Sequence, residues 1–216
     1  MAVDNYHLHE LCIAKTAGDP RRILPPVVKG DRTVLDLGCG AGQILMSTKF
    51  EPGTTVIGLD VDKEALSLGR QLDKSICFVC ARGESLPFQT GYFDFVFARV
   101  ALPYMHMHQS LAEIWRVLKP GGRIWFVLHP YSMVLKESFG ALSRLEIKRV
   151  LVCLYVLANG IALNVLGKEF HLPFRKSYYE SFQTVNGISK LLRKVGFAEI
   201  KAEQNGFFVA TARKIY

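Results

Sequence analysis

The chain carries few of the features that mark secreted, fibrous or disordered proteins. Its five cysteines are odd in number and scattered, which favours free thiols in a reducing compartment over a disulfide framework. The first 26 residues hold no apolar run of the kind a signal peptide needs. No internal repeat is visible, and 50% of the residues are hydrophobic against 21% charged. This composition excludes a disordered chain and predicts a cytoplasmic globular protein.

An excess of positive charge is confined to the C-terminal part of the sequence. The chain of 216 residues has a formal net charge of +8. Residues 1–120 contain 13 basic and 13 acidic side chains, whereas residues 121–216 contain 14 basic and 6 acidic ones. We therefore expect the C-terminal part to attract anionic partners, an effect that concerns association rather than fold.

Short β-like segments alternate with longer helix-like segments over the first 128 residues, which favours a parallel sheet built from βαβ units. Strands are expected at Thr33–Leu37, Thr55–Asp60, Ile76–Cys80, Phe93–Ala98 and Arg123–Leu128. Helices are expected from about Gln43, over Lys63–Leu72 behind an Asp62 cap, over Gln109–Leu118 and over Val185–Lys194. The β-like runs 198–203 and 207–212 flank an Asn-Gly pair, which predicts a hairpin.

The most informative stretch follows the first predicted strand and reads Gly38-Cys39-Gly40-Ala41-Gly42. Glycines between a strand and a helix let the backbone turn tightly and let a ligand press against it. The dinucleotide-binding pattern needs a small residue in place of Gln43, and Asp36 within the strand would repel a pyrophosphate. A carboxylate facing the loop suits a cationic ligand, and a strand–helix turn without a ligand is the alternative.

The acidic residue and alternating glycines of a known family are matched by Asp36, Gly38, Gly40 and Gly42. On this motif the sequence resembles the class I S-adenosylmethionine-dependent methyltransferases, closest to the small-molecule branch that includes the ubiquinone/menaquinone-biosynthesis methyltransferases. The resemblance implies that the loop, with Cys39, backs the methionine portion of S-adenosylmethionine and that Asp36 helps to hold its amino group. It also implies an α/β fold, a Rossmann-like three-layer sandwich with a mostly parallel seven-stranded sheet and a C-terminal antiparallel β-hairpin.

The family's second motif is an acid at the end of the second strand, matched here by Asp60. The resemblance implies that Asp60 holds both ribose hydroxyls with its two oxygens and that Val61 packs on adenine. From the residue alone, an aspartate at a strand end is more often a helix cap or a solvated side chain.

The segment 81–88 is similar to the family's third motif, but Arg82 stands where the family usually has aspartate. Arginine carries donors only, so it cannot accept a hydrogen bond from the adenine amino group. Adenine then relies on the backbone of Gly83 and Glu84, or Arg82 points away. The strand that ends near Arg99 matches the family's fourth strand, whose end faces the sulfonium.

Methyl transfer from a sulfonium depends on in-line positioning, and a general base is needed only when the acceptor carries a proton. Candidate residues must lie near the carboxyl ends of the strands, where open α/β sheets bind ligands. His129, directly after the fifth strand, is the first candidate for a base or an orienting group, and a hydrogen bond within the lid is an equal alternative. The candidates for acceptor binding are Tyr104, His106, Tyr131 and Tyr178.

Two further groups of side chains, three histidines and two cysteines, do not predict a functional site. His106 and His108, with His129 as a third ligand, would suit a metal ion, but no carboxylate or cysteine lies at a supporting spacing, so no metal site is predicted. Cys77 and Cys80 form a C-x-x-C pair whose thiols would point to opposite faces of a strand. This pair is therefore predicted to be buried and inert rather than redox-active.

A single domain is predicted over 1–216, with an N-terminal helical cap at 1–30 and a helical lid insertion after strand five at 130–183. Residues 150–167 carry no charge and reach the length of a membrane-spanning helix. Asn159-Gly160 in their interior predicts a break into two short helices, so an apolar lid is expected, with membrane-surface contact as the alternative. The basic residues that flank the run are Arg144, Lys148, Arg149, Lys168, Arg175 and Lys176. An apolar lid with a cationic rim favours a lipophilic acceptor that carries an anionic group.

The predicted activity is methyl transfer from S-adenosylmethionine to a small, apolar or aromatic acceptor by in-line displacement, in the cytoplasm or peripherally at a membrane. A nucleic-acid partner is disfavoured because residues 98–102 read Ala-Arg-Val-Ala-Leu, without the Asn/Asp-Pro-Pro-aromatic motif of base-methylating members. Asp36 and Gln43 disfavour an NAD-dependent oxidoreductase. A non-catalytic or membrane-associated binding protein that retains the fold is the remaining alternative, supported by Arg82. The motifs leave the oligomeric state open.

Overall fold

A seven-stranded sheet forms the centre of the protein, as the computed structural model describes it over residues 3–170 and 180–216. The strands are β1 (Thr33–Leu37), β2 (Thr55–Asp60), β3 (Cys77–Cys80), β4 (Phe93–Arg99), β5 (Leu118–Leu128), β6 (Ala198–Asn205) and β7 (Phe207–Arg213). The helices are α1 (Val3–Lys15), α2 (Gln43–Ser47), α3 (Lys63–Leu72), α4 (Met107–Val117), α5 (Tyr131–Ser143), α6 (Ile147–Leu166) and α7 (Val185–Val195). A 3-10 turn at Leu102–Tyr104 links β4 to α4.

The strand order β3-β2-β1-β4-β5-β7-β6 confirms the predicted fold class. The first five strands in sequence pair in parallel, and β7 runs antiparallel to both β5 and β6. Because β4 pairs with β1 and not with β3, the strand order reverses between β1 and β4. In open parallel sheets, ligands bind in the crevice at the carboxyl ends of the strands at such a reversal.

The central strands bury both of their faces, because successive side chains on a strand point to opposite sides. Leu35 and Leu37 of β1 pack in one apolar cluster with residues of α4 and α7. Val34 of β1 and Phe95 of β4 pack in a second cluster with residues of α1, α2 and α3. The sheet is therefore sandwiched between two helical layers, which is the predicted three-layer arrangement.

Short-range sequence signals fix several element ends. Asp62 caps α3 as predicted, since its carboxylate accepts hydrogen bonds from the backbone N–H groups of Glu64 and Ala65 at 2.9 and 3.1 Å. The Asn-Gly hairpin is also confirmed, because β6 and β7 pair antiparallel up to Asn205 and Phe207.

Strand β5 is longer than predicted, because it begins at Leu118 rather than at Arg123. The Lys119-Pro120-Gly121-Gly122 stretch, whose residues favour the end of a helix or strand, stays in the sheet as an irregularity in the pairing with β4. Its backbone is held by Lys214, which accepts a hydrogen bond from the N–H of Gly121 and donates one to the carbonyl of Gly122. These long-range bonds outweigh the local breaking tendency.

The predicted break at Asn159-Gly160 is wrong, since α6 continues without interruption from Ile147 to Leu166. Asn159 is buried, and its amide bonds groups that lie outside the helix. Its Oδ1 accepts from the N–H of Phe170 at 2.8 Å, and its Nδ2 donates to the carbonyl of Glu180 at 2.9 Å. Gly160 admits the ring of Phe182 against the helix backbone. The pair thus forms a packing contact rather than a turn.

The prediction of buried cysteines at Cys77 and Cys80 is also wrong, because both side chains are exposed. Strand β3 lies at one edge of the sheet, with β2 as its neighbour in the described part of the chain. The assignment of a cap to 1–30 and a lid to 130–183 remains a prediction; α1 lies in the first range, and α5 and α6 lie in the second.

Gly160→Ala is expected to destabilise the fold, although alanine normally stabilises a helix interior relative to glycine. The added Cβ would overlap the ring of Phe182, and overpacking of this kind costs about 1–3 kcal/mol. In the matched variant Gly140→Ala in α5, the Cβ would meet only the flexible end of Arg144 at 3.5 Å, so a gain of about 0.5–1 kcal/mol is expected. Urea denaturation measures both changes, and equal stabilisation of the two variants would contradict the proposed contact.

Candidate cofactor site

A cavity of about 400 Å³ lies at the carboxyl ends of β1, β2 and β4, where the strand order reverses. Its walls come from α1, the glycine loop, the end of β2 and the segment after β4. The lining residues are Tyr6, His7, Glu10, Asp36, Gly38, Cys39, Gly40, Gln43, Ile44, Asp60, Arg99, Val100, Ala101 and Tyr104. Sequence motifs identified Asp36, Asp60, Arg99, Tyr104 and the loop residues 38–40 as candidates, and the fold brings them to one place.

The glycine loop turns sharply because two of its N–H groups bond one carbonyl. Gly38 and Cys39 both donate to the carbonyl oxygen of Leu59, at 2.7 and 3.0 Å. Gly38 has φ +77°, and a Cβ there would overlap the Cβ of Ala101. Glycine is therefore required at this position by both the backbone conformation and the close approach of the turn after β4.

Helix α1 covers the next part of the loop. Gly40 has φ +55°, and a Cβ there would lie 2.9 Å from Cε1 of His7. The same imidazole is fixed by a hydrogen bond of 2.7 Å between its Nδ1 and Nε2 of Gln43. Gly40 thus admits a side chain of the protein itself, and α1 closes one wall of the cavity.

Gly42 was predicted to contact the cofactor, but it does not line the cavity. It is the N-cap of α2 with φ +81°, and a Cβ there would lie 2.8 Å from Cζ of Phe78. Its role in the structure is to let the chain enter α2 against the ring of Phe78.

Asp36 is the most unusual group in the cavity wall. Its side chain is 1% exposed, and its Oδ2 has no hydrogen-bond partner within the described part of the chain. Burial is the main cause that raises the pKa of this carboxyl well above its ordinary value, and the nearby charge of Asp60 raises the pKa further. A buried acceptor without a partner is costly, so a donor that enters the cavity would relieve that cost.

Asp60 ties the end of β2 to the glycine loop. Its Oδ2 accepts from the N–H of Gly40 at 2.8 Å, and its Oδ1 accepts from the N–H of Asp62 at 3.0 Å. Each carboxylate oxygen can accept a second hydrogen bond, so both keep capacity for a ligand that carries two hydroxyls. The side chain is therefore positioned by the backbone before a ligand binds.

The cavity is predominantly acidic. Among the described residues, three carboxylates line it, those of Asp36, Asp60 and Glu10, against one guanidinium, that of Arg99. Arg99 pairs with Glu10 through an N–O distance of 2.9 Å, which links the end of β4 to α1. Such a lining favours a ligand with net positive charge and disfavours a phosphate.

Backbone strain lies in the same wall, at Val100. This residue has φ +61°, a conformation that β-branched residues rarely adopt and that costs about 1–3 kcal/mol. Its N–H donates to the carbonyl of Val127 at 2.9 Å, which fixes the strained turn against β5. The turn carries Ala101 onto Gly38, so the strain helps to shape the cavity.

The sequence did not identify the contributions of Tyr6, His7, Glu10 and Val100. No local pattern indicates which loop a distant helix covers, so the three α1 residues had no detectable signal. Val100 had none either, because its conformation is imposed by contacts with β5 and the glycine loop.

The predicted adenine contacts lie outside the cavity wall. Arg82 points to Glu84, with an N–O distance of 3.2 Å, and half of its side chain is exposed. A Cβ on Gly83 would lie 2.5 Å from Sδ of Met105, and Val61 is 60% exposed. Of the two alternatives for Arg82, the structure has the side chain turned toward solvent.

Among the predicted acceptor residues, Tyr104 alone lines the cavity within the described ranges. His129 is buried, and its ring meets that of Tyr104 edge-on at 5.3 Å between centroids. His106 caps α4 by accepting from the N–H of Gln109. The ring of Tyr131 lies against that of Phe182, with 6.4 Å between their centroids. Tyr178 lies outside the described residues. No group of three potential metal-ligating side chains occurs in 3–170 or 180–216.

These residues fit S-adenosylmethionine. The unpartnered Oδ2 of Asp36 suits an ammonium group, and the remaining lone pairs of Asp60 suit two neighbouring hydroxyls. S-adenosylmethionine carries a sulfonium, an ammonium and one carboxylate, so its net charge is positive. The acidic lining of the cavity suits that charge.

Comparison with known proteins leads to the same cofactor. A family model described as "Methyltransferase domain" matches residues 35–126. The demethylmenaquinone methyltransferase of Lactococcus lactis is 30% identical over 95% of this chain and 79% of that protein. The demethylmenaquinone methyltransferase of Deinococcus radiodurans is 31% identical over 77% of this chain and 68% of that protein.

Solved structures share the fold. The methyltransferase of a Haloferax volcanii complex with a methyltransferase activator has a TM-score of 0.61 and 19% identity, over 97% of this chain and 89% of that one. A SAM-dependent methyltransferase from Methanosarcina mazei has a TM-score of 0.56 and 21% identity, over 87% and 94% of the two chains. The non-catalytic alternative is therefore not favoured. This chain belongs to the class I S-adenosylmethionine-dependent methyltransferases, in the family of the demethylmenaquinone methyltransferases, and it transfers a methyl group to a small molecule.

Proposed function

We propose that the acceptor is a lipophilic aromatic ring of the quinone or quinol type. The observation that carries this proposal is the pair of tyrosine rings, Tyr6 and Tyr104, that line the cavity beside the carboxylates and are 54% and 43% exposed. Exposed aromatic rings at the rim of a polar cavity favour a flat, apolar ligand that packs on them. The relatives named demethylmenaquinone methyltransferases act on a substrate of this class.

S-adenosylmethionine supplies, when bound, a methyl group on positively charged sulfur, which is a good leaving group. Asp36 and Asp60 are assigned to hold the two polar ends of the donor. Because little covalent help is needed, the main task of the protein is to fix orientation and exclude water. Helix α1 contributes to this task, since Tyr6, His7 and Glu10 close one side of the cavity.

His129 is proposed to act through Tyr104 rather than on the acceptor itself. Its ring packs edge-on against Tyr104, and its backbone N–H donates to Oε1 of Gln183 at 3.3 Å. These contacts would hold Tyr104 at the cavity wall. A direct role of His129 as a base remains a prediction from sequence.

We also infer that the enzyme meets its acceptor as a peripheral protein at a membrane surface. Lipophilic quinones partition into bilayers because burial of their apolar surface is favourable. Helix α6, with 20 residues, is long and apolar enough to cross a membrane by length and composition.

Asp36→Asn is expected to weaken donor binding and to stabilise the free protein at neutral and higher pH. The raised pKa means that the folded state favours a protonated Asp36, so the stability it contributes at low pH is lost as pH rises through the folded pKa. Asparagine cannot ionise, so the variant should not lose stability in this way as pH rises. A cationic ligand needs the ionised carboxylate, so the affinity of the unmodified protein should rise with pH.

Calorimetry with S-adenosylmethionine and thermal unfolding across pH check both effects. We expect about ten- to a hundredfold weaker binding for Asp36→Asn above the folded pKa, the range for a lost hydrogen bond to a charged group. Equal affinity of the two proteins at every pH would contradict the assignment of Asp36.

Asp60→Asn is expected to weaken binding of S-adenosylhomocysteine by about tenfold or more, because an amide nitrogen cannot accept from the N–H groups that fix this side chain. Asp62→Asn is the matched control two residues away. Asparagine caps a helix as well as aspartate does, so that variant should bind normally. Indistinguishable affinities of the two variants would rule out the proposed role of Asp60.

Tyr104→Ala is expected to raise the KM for a demethylated quinol about two- to tenfold and to leave the affinity for S-adenosylmethionine unchanged, since an aromatic contact is lost on the acceptor side only. Tyr131→Ala removes a tyrosine of similar exposure that does not line the cavity, and it should behave like the unmodified enzyme. A labelled-methyl assay with quinols, amines and thiols measures these values. Transfer to amines or thiols but not to quinols would overturn the proposed acceptor class.

A further inference from the structure

Helix α6 exposes a second apolar side in addition to the side that packs in the protein. The packed side carries Cys153, Val156, Asn159, Gly160 and Leu163. The exposed apolar side forms a continuous row of residues, which we call the α6 stripe. The α6 stripe consists of Ile147, Leu151, Leu154, Ala158, Ile161 and Val165. An ordinary helix at a water-exposed surface carries charged or polar residues on its outer side instead.

The α6 stripe is continuous and long. Its members follow one another at intervals of four and three residues, so they lie on one side of the helix and span about 27 Å. Ile147 and Val165 at its two ends are 73% and 74% exposed, and Leu151, Leu154 and Ile161 between them are 56–61% exposed. Phe139, Leu142 and Leu145 of α5 and the following turn extend the apolar surface, with exposures of 71%, 59% and 82%.

The opposite side of α6 is firmly packed in the protein. Cys153, Val156 and Leu163 are 3–5% exposed, and Phe182 packs against Gly160. The side-chain amide of Asn159 forms hydrogen bonds with the backbone of Phe170 and with the backbone of Glu180. A helix held in this way cannot cross a bilayer without losing these contacts, but it can lie flat on a surface with its stripe outward.

Charge at the ends of the helix indicates what the α6 stripe contacts. Residues 142–168 contain four basic side chains and one acidic side chain. Arg144, Lys148 and Arg149 lie at the start of α6 and Lys168 lies just past its end, all exposed. The acid, Glu146, already pairs with Arg144 and Arg149, at 2.8 and 3.7 Å.

We propose that the α6 stripe docks on the surface of an anionic lipid bilayer, with its aliphatic side chains among the acyl chains and the basic residues at its two ends among the headgroups. An apolar patch of this extent is uncommon on a monomer exposed to water and marks an interaction surface. Cations at both ends match anionic lipid, where each basic residue near the surface contributes attraction. Pairing of two α6 helices from two copies would instead bring like charges together in either direction.

This docking rests on the proposed function in one respect, the delivery of a lipophilic acceptor. Helix α5 begins at Tyr131, two residues after His129, whose ring contacts Tyr104 of the cavity wall. The helices that meet the membrane therefore leave the sheet at the edge that carries the cofactor cavity. An acceptor could then pass from the bilayer to the site without full exposure to water.

Flotation of the full chain with vesicles, without cofactor or acceptor, tests the docking independently of methyl transfer. We expect the protein to float with vesicles that contain phosphatidylglycerol and to bind vesicles of phosphatidylcholine alone at least about tenfold more weakly. Leu154→Ser with Ile161→Ser, and separately Lys148→Gln with Lys168→Gln, should each reduce binding about tenfold. Leu72→Ser, at an exposed apolar residue of α3, is the control and should bind normally.

The serine and glutamine variants replace exposed side chains, so their thermal unfolding should match that of the unmodified protein. They should also keep methyl transfer to a short-chain, water-soluble quinol, which separates loss of docking from loss of the site. Absence of flotation with either vesicle would overturn the proposal. A dimer in sedimentation that Leu154→Ser with Ile161→Ser converts to a monomer would equally overturn it, because the α6 stripe would then be an interface between copies.

Discussion

The site depends on a buried carboxylate whose Oδ2 has no hydrogen-bond partner among residues 3–170 and 180–216. Asp36 lies at the carboxyl end of β1, and Asp60 lies at the end of the neighbouring strand, so the parallel pairing of β1 and β2 brings two acids to one edge of the sheet. Asp60 is held by the backbone of the glycine loop and of Asp62. No donor in the described part of the chain bonds Oδ2 of Asp36, and burial raises the pKa of this carboxyl. A cationic donor that binds this carboxylate relieves the cost of burying it. Binding of the cofactor therefore depends on the strand pairing that places Asp36 at this edge of the sheet.

Helix α1 and the segment after β5 add features to the sheet that lie outside the glycine loop and the two acids. At the N-terminus, α1 contributes Tyr6 to the wall, and Glu10 of the same helix pairs with Arg99. After β5, α5 and α6 expose apolar side chains, and basic residues lie at the ends of α6. The acidic cavity and the basic, apolar outer surface thus suit two partners of opposite character, a cationic donor and a lipophilic acceptor. A scaffold of rigid strands separates the two surfaces while keeping them on one edge.

Sequence patterns predicted the parts of the molecule that obey local rules. The alternating strands, the Asp62 cap and the Asn-Gly hairpin depend on neighbouring residues, and Asp36 and Asp60 converge because parallel strands end on the same edge. Long-range contacts decided the rest. The interior Asn159-Gly160 of α6 is stabilised by Phe170, Glu180 and Phe182, which no window around the pair contains. The cover that His7 forms over Gly40 likewise joins segments more than thirty residues apart, and the exposure of the β3 cysteines follows from strand order.

The most direct test is a crystal structure of the protein with S-adenosylhomocysteine bound. We expect the amino group of the ligand to donate to Oδ2 of Asp36 and its two ribose hydroxyls to bond the carboxylate of Asp60. Helix α1 should remain against the glycine loop, with His7 over Gly40. A ligand bound elsewhere, or an Asp36 oxygen that stays without a partner beside the bound ligand, would contradict the central role of that carboxylate.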